Sequence, residues 1–311
     1  MKNMAAAERI LIIKLGALGD VMMAEGVMRC IRSQYPQAHI TLVTEPLYAR
    51  FMKKAPHFDA VLPYKRVPRW HFGAQRAIKA QLKSSNFDLV IDLQNSSHSR
   101  RFQSWLQDAS ISATSKYADI KYHRDASRKL ASRDYLREQV GTIGIDCSVG
   151  HFSDLSWGAE DVSHVLAKHH LKDGFALLVA GSAARHPQKR WHGFPALIEQ
   201  LAERNIHAVT APGPDEYELC AALPATMLMD DEKFLTLNQL VGLASHCAFV
   251  VGNDTGPTHM LAAANTKGVA LFGSDHSPEC NTGISEIYQT VEKPLMDDIS
   301  AEDVLAAIDR L

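Results

Sequence analysis

GNDTGPTHMLAAANTKGVALFG, Gly252 to Gly273, is the stretch from which the rest of the fold can be read. It follows the apolar run Cys247–Val251, which reads as a buried strand. The strand ends in Gly252-Asn253-Asp254-Thr255-Gly256, and Pro257 then opens a short helix carrying His259. Proline suits a first helical turn because the N–H it lacks would have no partner there. A strand, a turn of small residues and a helix N-terminus form an anion site, where backbone N–H groups and the positive end of the helix dipole converge. Thr255 adds a hydroxyl, and Asp254 and His259 add groups suited to a sugar hydroxyl or a phosphate. A phosphorylated ligand is expected here.

A second glycine turn lies near the N-terminus. Ile10–Ile13 reads as a strand, Lys14-Leu15-Gly16-Ala17-Leu18-Gly19 as a tight loop, and Asp20 as the N-cap of the following helix. The spacing is neither the three-glycine dinucleotide fingerprint nor a P-loop ending in Lys-Ser/Thr. With no full fingerprint in either half, an NAD-dependent oxidoreductase is excluded.

Taken together, KLGALGD near the N-terminus and GNDTGPTHMLAAA with LFG near the C-terminus resemble glycosyltransferase family 9, the ADP-heptose:lipopolysaccharide heptosyltransferases. The order and separation of the blocks match over nearly the whole chain. Two further blocks fit. One is Gly181-Ser182-Ala183-Ala184 followed by Lys189-Arg190-Trp191; the other is Gly213-Pro214-Asp215-Glu216. The resemblance implies a GT-B architecture of two facing Rossmann-like domains, in which a C-terminal helix often returns to the first domain. Residues 1–155 would bind the acceptor and 156–311 the nucleotide-sugar donor, the boundary falling in the mixed segment 141–174.

The periodicity agrees with an α/β chain. In the first half, strands are expected at Ile10–Ile13, Ile40–Val43, Ala60–Leu62, Leu89–Leu93 and Ile111–Ala113. Helices are expected at Val21–Gln34, Leu47–Lys54, Gln75–Ser84 and Ser99–Gln107. In the second half, strands are expected at Ala176–Val179, Ala208–Thr210, Met227–Met229, Ala248–Val251 and Val269–Phe272. The helices there are Phe194–Arg204, Glu216–Leu223, Leu237–His246, Thr258–Ala264 and Ala301–Leu311, the last capped by Ser300. Strands alternating with helices imply mostly parallel sheets, and such sheets bind ligands beyond the carboxyl ends of their strands. Asp20 and Asp92 fall there.

The chain has 311 residues, 46% hydrophobic and 22% charged, as in soluble globular proteins. No apolar run approaches the roughly 20 residues that span a bilayer, and Glu8 and Arg9 interrupt any signal-peptide pattern. A cytosolic protein is expected, with a peripheral station at the inner face of the cytoplasmic membrane left open. Five cysteines without a C-x-x-C pair argue against a disulfide framework or a zinc site. The net charge of −2 conceals an asymmetry. Residues 1–150 hold 23 Lys+Arg against 13 Asp+Glu, and residues 151–311 hold 10 against 22. The basic half suggests an anionic partner; attraction between the two halves is the competing explanation. Nucleic acid is disfavoured, because no known binding module interleaves aromatics with these cations. The stretch Lys65–Lys83, with Arg66, Arg69, Trp70, His71, Phe72 and Arg76, reads either as an element facing the acceptor or a membrane surface, or as an ordinary solvated helix. Arg100, Arg101, Lys121, Arg124, Arg128, Lys129 and Arg133 add charge beyond it.

Sugar transfer from a nucleoside diphosphate needs a base for the acceptor hydroxyl and positive groups for the departing diphosphate. By resemblance Asp20 is the base, on the acceptor-side loop with Gly16 and Gly19. Lys189 is the cation facing the diphosphate, and Ser182 adds a hydroxyl. Asp254 and His259 contact the donor, Thr255 and Gly256 its phosphates, and Asp215 or Glu216 its ribose or base. Ala183-Ala184 stand where the family has hydroxyl residues. No D-x-D occurs, so no metal and no cofactor beyond the ADP-sugar substrate is expected. The expected partners are a nucleotide-sugar donor and an anionic glycolipid acceptor, and the expected reaction is inverting transfer of a heptose to a Kdo/heptose inner core. A different sugar or acceptor stays open. A binding-only relative is disfavoured by the presence of both Asp20 and Lys189.

Overall fold

The computed structural model describes residues 7–68, 70–125, 127–128, 130–148, 152–273 and 287–311. Arg69 and Lys129, named above, lie outside them, as does Cys280, one of the five cysteines. The chain divides into two compact units, Met1–Ser153 and Asp154–Leu311.

The first unit runs β1 (Arg9–Ile13), α1 (Leu18–Met23), α2 (Glu25–Gln34), β2 (His39–Thr44), α3 (Pro46–Met52), β3 (Ala60–Pro63), α4 (Phe72–Ser84), β4 (Leu89–Asp92), α5 (Ser99–Trp105), β5 (Ser110–Ala113), β6 (Ile120–Lys121) and α6 (Ser132–Gly141). Its sheet has the order β3-β2-β1-β4-β5-β6, with every pairing parallel. Ile10 to Ile13 of β1 are fully buried in succession. A central parallel strand covered on both faces accepts such an unbroken apolar run.

The second unit repeats the plan: α7 (Ser163–Lys168), β7 (Phe175–Val179), α8 (Phe194–Glu203), β8 (Ala208–Thr210), α9 (Tyr217–Ala221), β9 (Thr226–Met227), α10 (Leu237–Leu243), β10 (Cys247–Asn253), α11 (Gly256–Ala263), β11 (Gly268–Phe272), β12 (Tyr288–Glu292) and α12 (Ala301–Ile308). Its sheet order is β12-β11-β10-β7-β8-β9, again all parallel. Each sheet therefore reverses direction beside its first strand, between β1 and β4 and between β7 and β10. Open parallel sheets bind ligands at that reversal, outside the carboxyl ends of the strands.

Several expectations need correction. The single helix Val21–Gln34 is two helices broken at Ala24, which caps both. β6, α6, α7 and β12 were not foreseen. α6 (SRDYLREQVG) hides its apolar residues among charges, and β12 (YQTVE) is a half-buried edge. The final helix stays with the second unit instead of returning to the first. Val304, Ala307 and Ile308 join Leu197, Leu201 and Phe194 of α8 in one buried cluster, and burying each large aliphatic side chain contributes about 1.5–3 kcal/mol. Its N-terminus closes as the sequence suggests: Ser300 Oγ accepts from Asp303 N at 3.1 Å, and the Asp303 carboxylate accepts from Ser300 N at 3.1 Å. Cys30 and Cys147, 117 residues apart, form a disulfide with a Cα–Cα distance of 5.6 Å, contrary to the cysteine-spacing expectation. Local spacing carries no information about a contact between α2 and the segment after α6.

Candidate active site

In the first unit the loop after β1 is held by its neighbour at the sheet reversal. Gln94, just beyond β4, accepts from Leu15 N at 2.8 Å and from Gly16 N at 3.1 Å through one side-chain oxygen. Gly16 has no room for a side chain, because a Cβ would lie 2.9 Å from the Tyr48 ring. Gly19 sits in the first turn of α1. Asp20 occupies the third helical position, one turn into the helix and not the N-cap; Ala17 is the cap, and the Asp20 carboxylate accepts its N–H at 3.2 Å. That bond uses one carboxylate oxygen and leaves Asp20 half-buried at the carboxyl end of the sheet.

Beneath it lies a residue whose position the sequence did not flag. Lys14 is buried, and its ammonium donates to Leu93 O at 3.2 Å. Burial lowers its pKa, and the charges of Asp20 and Asp92 pull it back up. Asp92 is a structural carboxylate: fully buried, it accepts from Gln94 N at 2.8 Å, from Asn95 N at 2.9 Å and from Gln103 Nε2. Burial raises its pKa despite those bonds. Asp20 is thus the carboxylate at this switch point that remains reachable.

The second unit builds its site the same way. Asn253, the last residue of β10, is fully buried and ties together the two loops at the reversal. Its Nδ2 donates to Ala180 O at 2.8 Å and Gly181 O at 3.1 Å, and its Oδ1 accepts from Trp191 N at 3.2 Å. Thr258 Oγ1 donates to Asn253 O at 2.7 Å. A Cβ at Gly252 would meet that hydroxyl at 2.3 Å, so the strand's second-last position has room only for glycine. These contacts place Lys189 beside Asp254. Lys189 Nζ donates to Asp254 Oδ2 at 2.6 Å and to Asp254 O at 3.1 Å. On the other carboxylate oxygen, His259 Nε2 lies 3.0 Å from Asp254 Oδ1. Burial alone would raise the Asp254 carboxyl, but the His259 and Lys189 hydrogen bonds and charges outweigh it and hold the pKa down at about 2. His259 Nδ1 is buried without a hydrogen-bond partner among the described residues. Thr255 caps α11 without a side-chain bond to the helix backbone, its hydroxyl lying 3.5 Å from Thr258 Oγ1, and Gly256 opens the helix.

The remaining candidates separate. Ser182 is buried, and its hydroxyl works inside the loop: it donates to His186 O at 2.8 Å and accepts from Arg190 Nε at 3.1 Å, while Arg190 Nη2 donates to Ser182 O at 3.1 Å. Arg190 thereby clips both ends of the loop that carries Lys189. Glu216 lies directly over Gly181, where a Cβ would fall 2.3 Å from its carboxyl carbon, and it also accepts from Gly213 N at 2.9 Å. Asp215 is exposed and is not brought to the loop. Lys189, Glu216, Asp254, Thr255, Gly256 and His259 therefore gather at one switch point, with Ser182 and Arg190 shaping it. Among the described residues, no group of three or more His, Cys, Asp or Glu is placed to hold a metal ion.

Comparison with known proteins follows the same lines. The model of glycosyltransferase family 9 (heptosyltransferase) matches residues 75–297. Lipopolysaccharide heptosyltransferase 3 of Escherichia coli is 24% identical over 343 residues, covering 94% of this chain and 96% of that protein. The solved glycosyl transferase family 9 protein from Veillonella parvula DSM 2008 superposes with a TM-score of 0.86 at 18% identity, covering 97% and 96% of the two chains. The E. coli heptosyltransferase WaaC with ADP superposes with a TM-score of 0.75 at 18% identity, covering 97% and 99%. The two parallel six-stranded sheets are the Rossmann-like halves of a GT-B fold. The chain belongs to glycosyltransferase family 9, the heptosyltransferase family, and is a glycosyltransferase.

Proposed function

We propose that the protein transfers a heptose from ADP-heptose to a Kdo- or heptose-bearing lipopolysaccharide inner core, inverting the anomeric carbon. The observation that carries the donor half of this reading is the Lys189–Asp254–His259 chain at the N-terminus of α11. It gathers a cation, helix N–H groups and an imidazole where a diphosphate would lie. The second unit is the donor-binding one, and Glu216 rather than Asp215 is its ribose or base contact. The first unit, carrying the basic excess, binds the anionic acceptor. The E. coli heptosyltransferase WaaC was solved with ADP and with ADP-2-deoxy-2-fluoro heptose, which supports the choice of donor.

In the reaction the acceptor oxygen attacks the anomeric carbon on the face opposite the diphosphate. The bond from that carbon to the β-phosphate oxygen breaks, and its electron pair leaves with ADP. The acceptor proton passes to the Asp20 carboxylate, which acts as general base. The Lys189 ammonium meets the charge that grows on the departing diphosphate. Two of its three hydrogens are directed at Asp254 before substrate arrives, so Asp254 keeps the ammonium in place. Arg190 and Ser182 hold the loop that presents it.

The test is ADP release from ADP-heptose with Kdo-lipid A as acceptor, with the anomeric configuration of the product read by NMR. Retention of configuration, or turnover only with another nucleotide sugar, would replace this reading with one of a different mechanism or donor.

A further inference from the structure

One surface of the first unit is used by neither the loop of Asp20 nor the core. Between Asp59 and Asp88 the sequence contains six lysines and arginines and no acidic residue. The segment leaves β3, passes through an exposed loop and enters α4. Gln75 pins this loop: its Nε2 donates to Val67 O at 3.1 Å, and its N–H donates to His71 O at 3.0 Å. With Gln75, Ile78 and Leu82 turned into the unit and Tyr64 buried at the start of the loop, Trp70 and Phe72 remain outside. Trp70 is 71% exposed and Phe72 78% exposed, and at the start of α3, at the same end of the sheet, Leu47 is 62% exposed. Water-facing Trp and Phe beside each other are unusual unless something covers them.

The cations continue the pattern along the helix. Phe72, Arg76, Lys79 and Lys83 follow one another at i, i+4, i+7 and i+11, a single flank of α4, and all four are exposed. Lys83 faces the exposed Asp108 at 3.9 Å. Lys65 and Arg66 lie at the other end of the loop, with Arg66 paired to Glu45. An aromatic tip followed by a stripe of cations matches the boundary of an anionic bilayer: the rings enter the headgroup region and the long cationic side chains stay among the phosphates.

We infer that the Trp70–Phe72 tip and the Arg76/Lys79/Lys83 flank of α4 form a docking surface for an anionic phospholipid bilayer. The Trp70–Phe72 tip lies at the carboxyl end of β3, the end of the sheet where Asp20 lies, and the cationic flank of α4 runs from it toward the opposite end, where Lys83 meets Asp108. A protein seated this way meets a lipid-anchored acceptor without extracting it. The biological purpose rests on the glycolipid reading above. The binding does not, because it is measured with neither donor nor acceptor present.

The experiment is sedimentation of the full-length protein with vesicles of phosphatidylcholine alone and of phosphatidylcholine with phosphatidylglycerol, at low and high salt. Wild type is expected to partition to the anionic vesicles and to be released by salt. The Arg76→Glu/Lys79→Glu pair is expected to lower partitioning on the order of 25-fold, roughly fivefold per cation lost. Trp70→Ser/Phe72→Ser is expected to lower it as well, and the Trp70 emission of wild type to be quenched by brominated lipid. ADP affinity and melting temperature report that both variants are folded, and both are expected to match wild type. Equal binding to neutral vesicles, absence of binding, or variants that bind like wild type would overturn the inference. So would binding of single-stranded DNA in place of vesicles, or dimerisation in solution that the aromatic pair abolishes while vesicle binding stays absent.

Discussion

Asp20 and Asp92 look alike in the sequence, each an aspartate at or beyond the carboxyl end of a strand of the first sheet. Their surroundings separate them. Asp92 is buried and its oxygens are occupied by Gln94, Asn95 and Gln103, whereas Asp20 makes one side-chain bond and remains half-buried. Asp20→Asn keeps the shape and the bond from Ala17, so kcat is expected to fall by about 10²–10⁴-fold with the donor KM little changed. Steady-state kinetics with saturating acceptor checks this; a large rise in donor KM instead would make Asp20 a binding residue. In the second unit Asp254 sets a pH dependence of stability. Its folded pKa, about 2, lies below the unfolded carboxyl value of 3.8. The stabilisation is therefore present above the unfolded value and lost as the pH falls from about 4 through about 2. It amounts to about 2 kcal/mol. Urea unfolding across that window should show wild type losing stability more steeply than Asp254→Asn. Parallel profiles would mean that the Lys189 and His259 contacts contribute nothing to folding. Lys189 and Asp254 were both singled out in the sequence as candidates. Their ion pair was not, because residues 65 apart meet only through the sheet reversal.

At the level of elements, the same device appears twice. An amide at the end of the fourth strand of each sheet, Gln94 beyond β4 and Asn253 ending β10, grips the loop after the first strand. Neither was singled out in the sequence, since a lone Asn or Gln has no spacing signature and its partners lie about 70–80 residues away. What the sequence did carry was the strand–turn–helix pattern around each glycine loop, which is local. Gly181→Ala places a methyl carbon where the Glu216 side chain now lies, while the sheet core is untouched. ADP affinity by calorimetry is expected to fall at least tenfold with little change in melting temperature. Unchanged affinity would detach Glu216 from the nucleotide. Arg190→Lys is expected to lower kcat more than it raises the donor KM, because an ammonium cannot span Ser182 O and Oγ as the guanidinium does.

At the scale of the whole molecule, two copies of one topology share a chain with opposite charge balance, basic in the first half and acidic in the second. The alternation of strands and helices made the α/β class readable, and the motif blocks made the family readable. Short edge elements such as β6 and β12, and the break at Ala24, were not, because two to five residues of mixed polarity look like loop. The Cys30–Cys147 bridge was equally invisible. In the chain-entropy picture, closing a loop of this length stabilises the first unit by up to about 5 kcal/mol. Reductant should therefore lower the unfolding midpoint of that unit and leave the second unchanged, as two-domain calorimetry would record.

In the proposed reaction Asp20 and the Lys189–Asp254–His259 chain together transfer a heptose from ADP-heptose to a lipopolysaccharide core acceptor. It is tested most directly by ADP release from ADP-heptose with Kdo-lipid A, comparing wild type with Asp20→Asn and Lys189→Ala. Acceptor-dependent release by wild type is expected, with a loss of about 10²–10⁴-fold without the Asp20 carboxylate and of about 10²–10³-fold without the Lys189 ammonium. Acceptor-dependent release that survives in Asp20→Asn would contradict it.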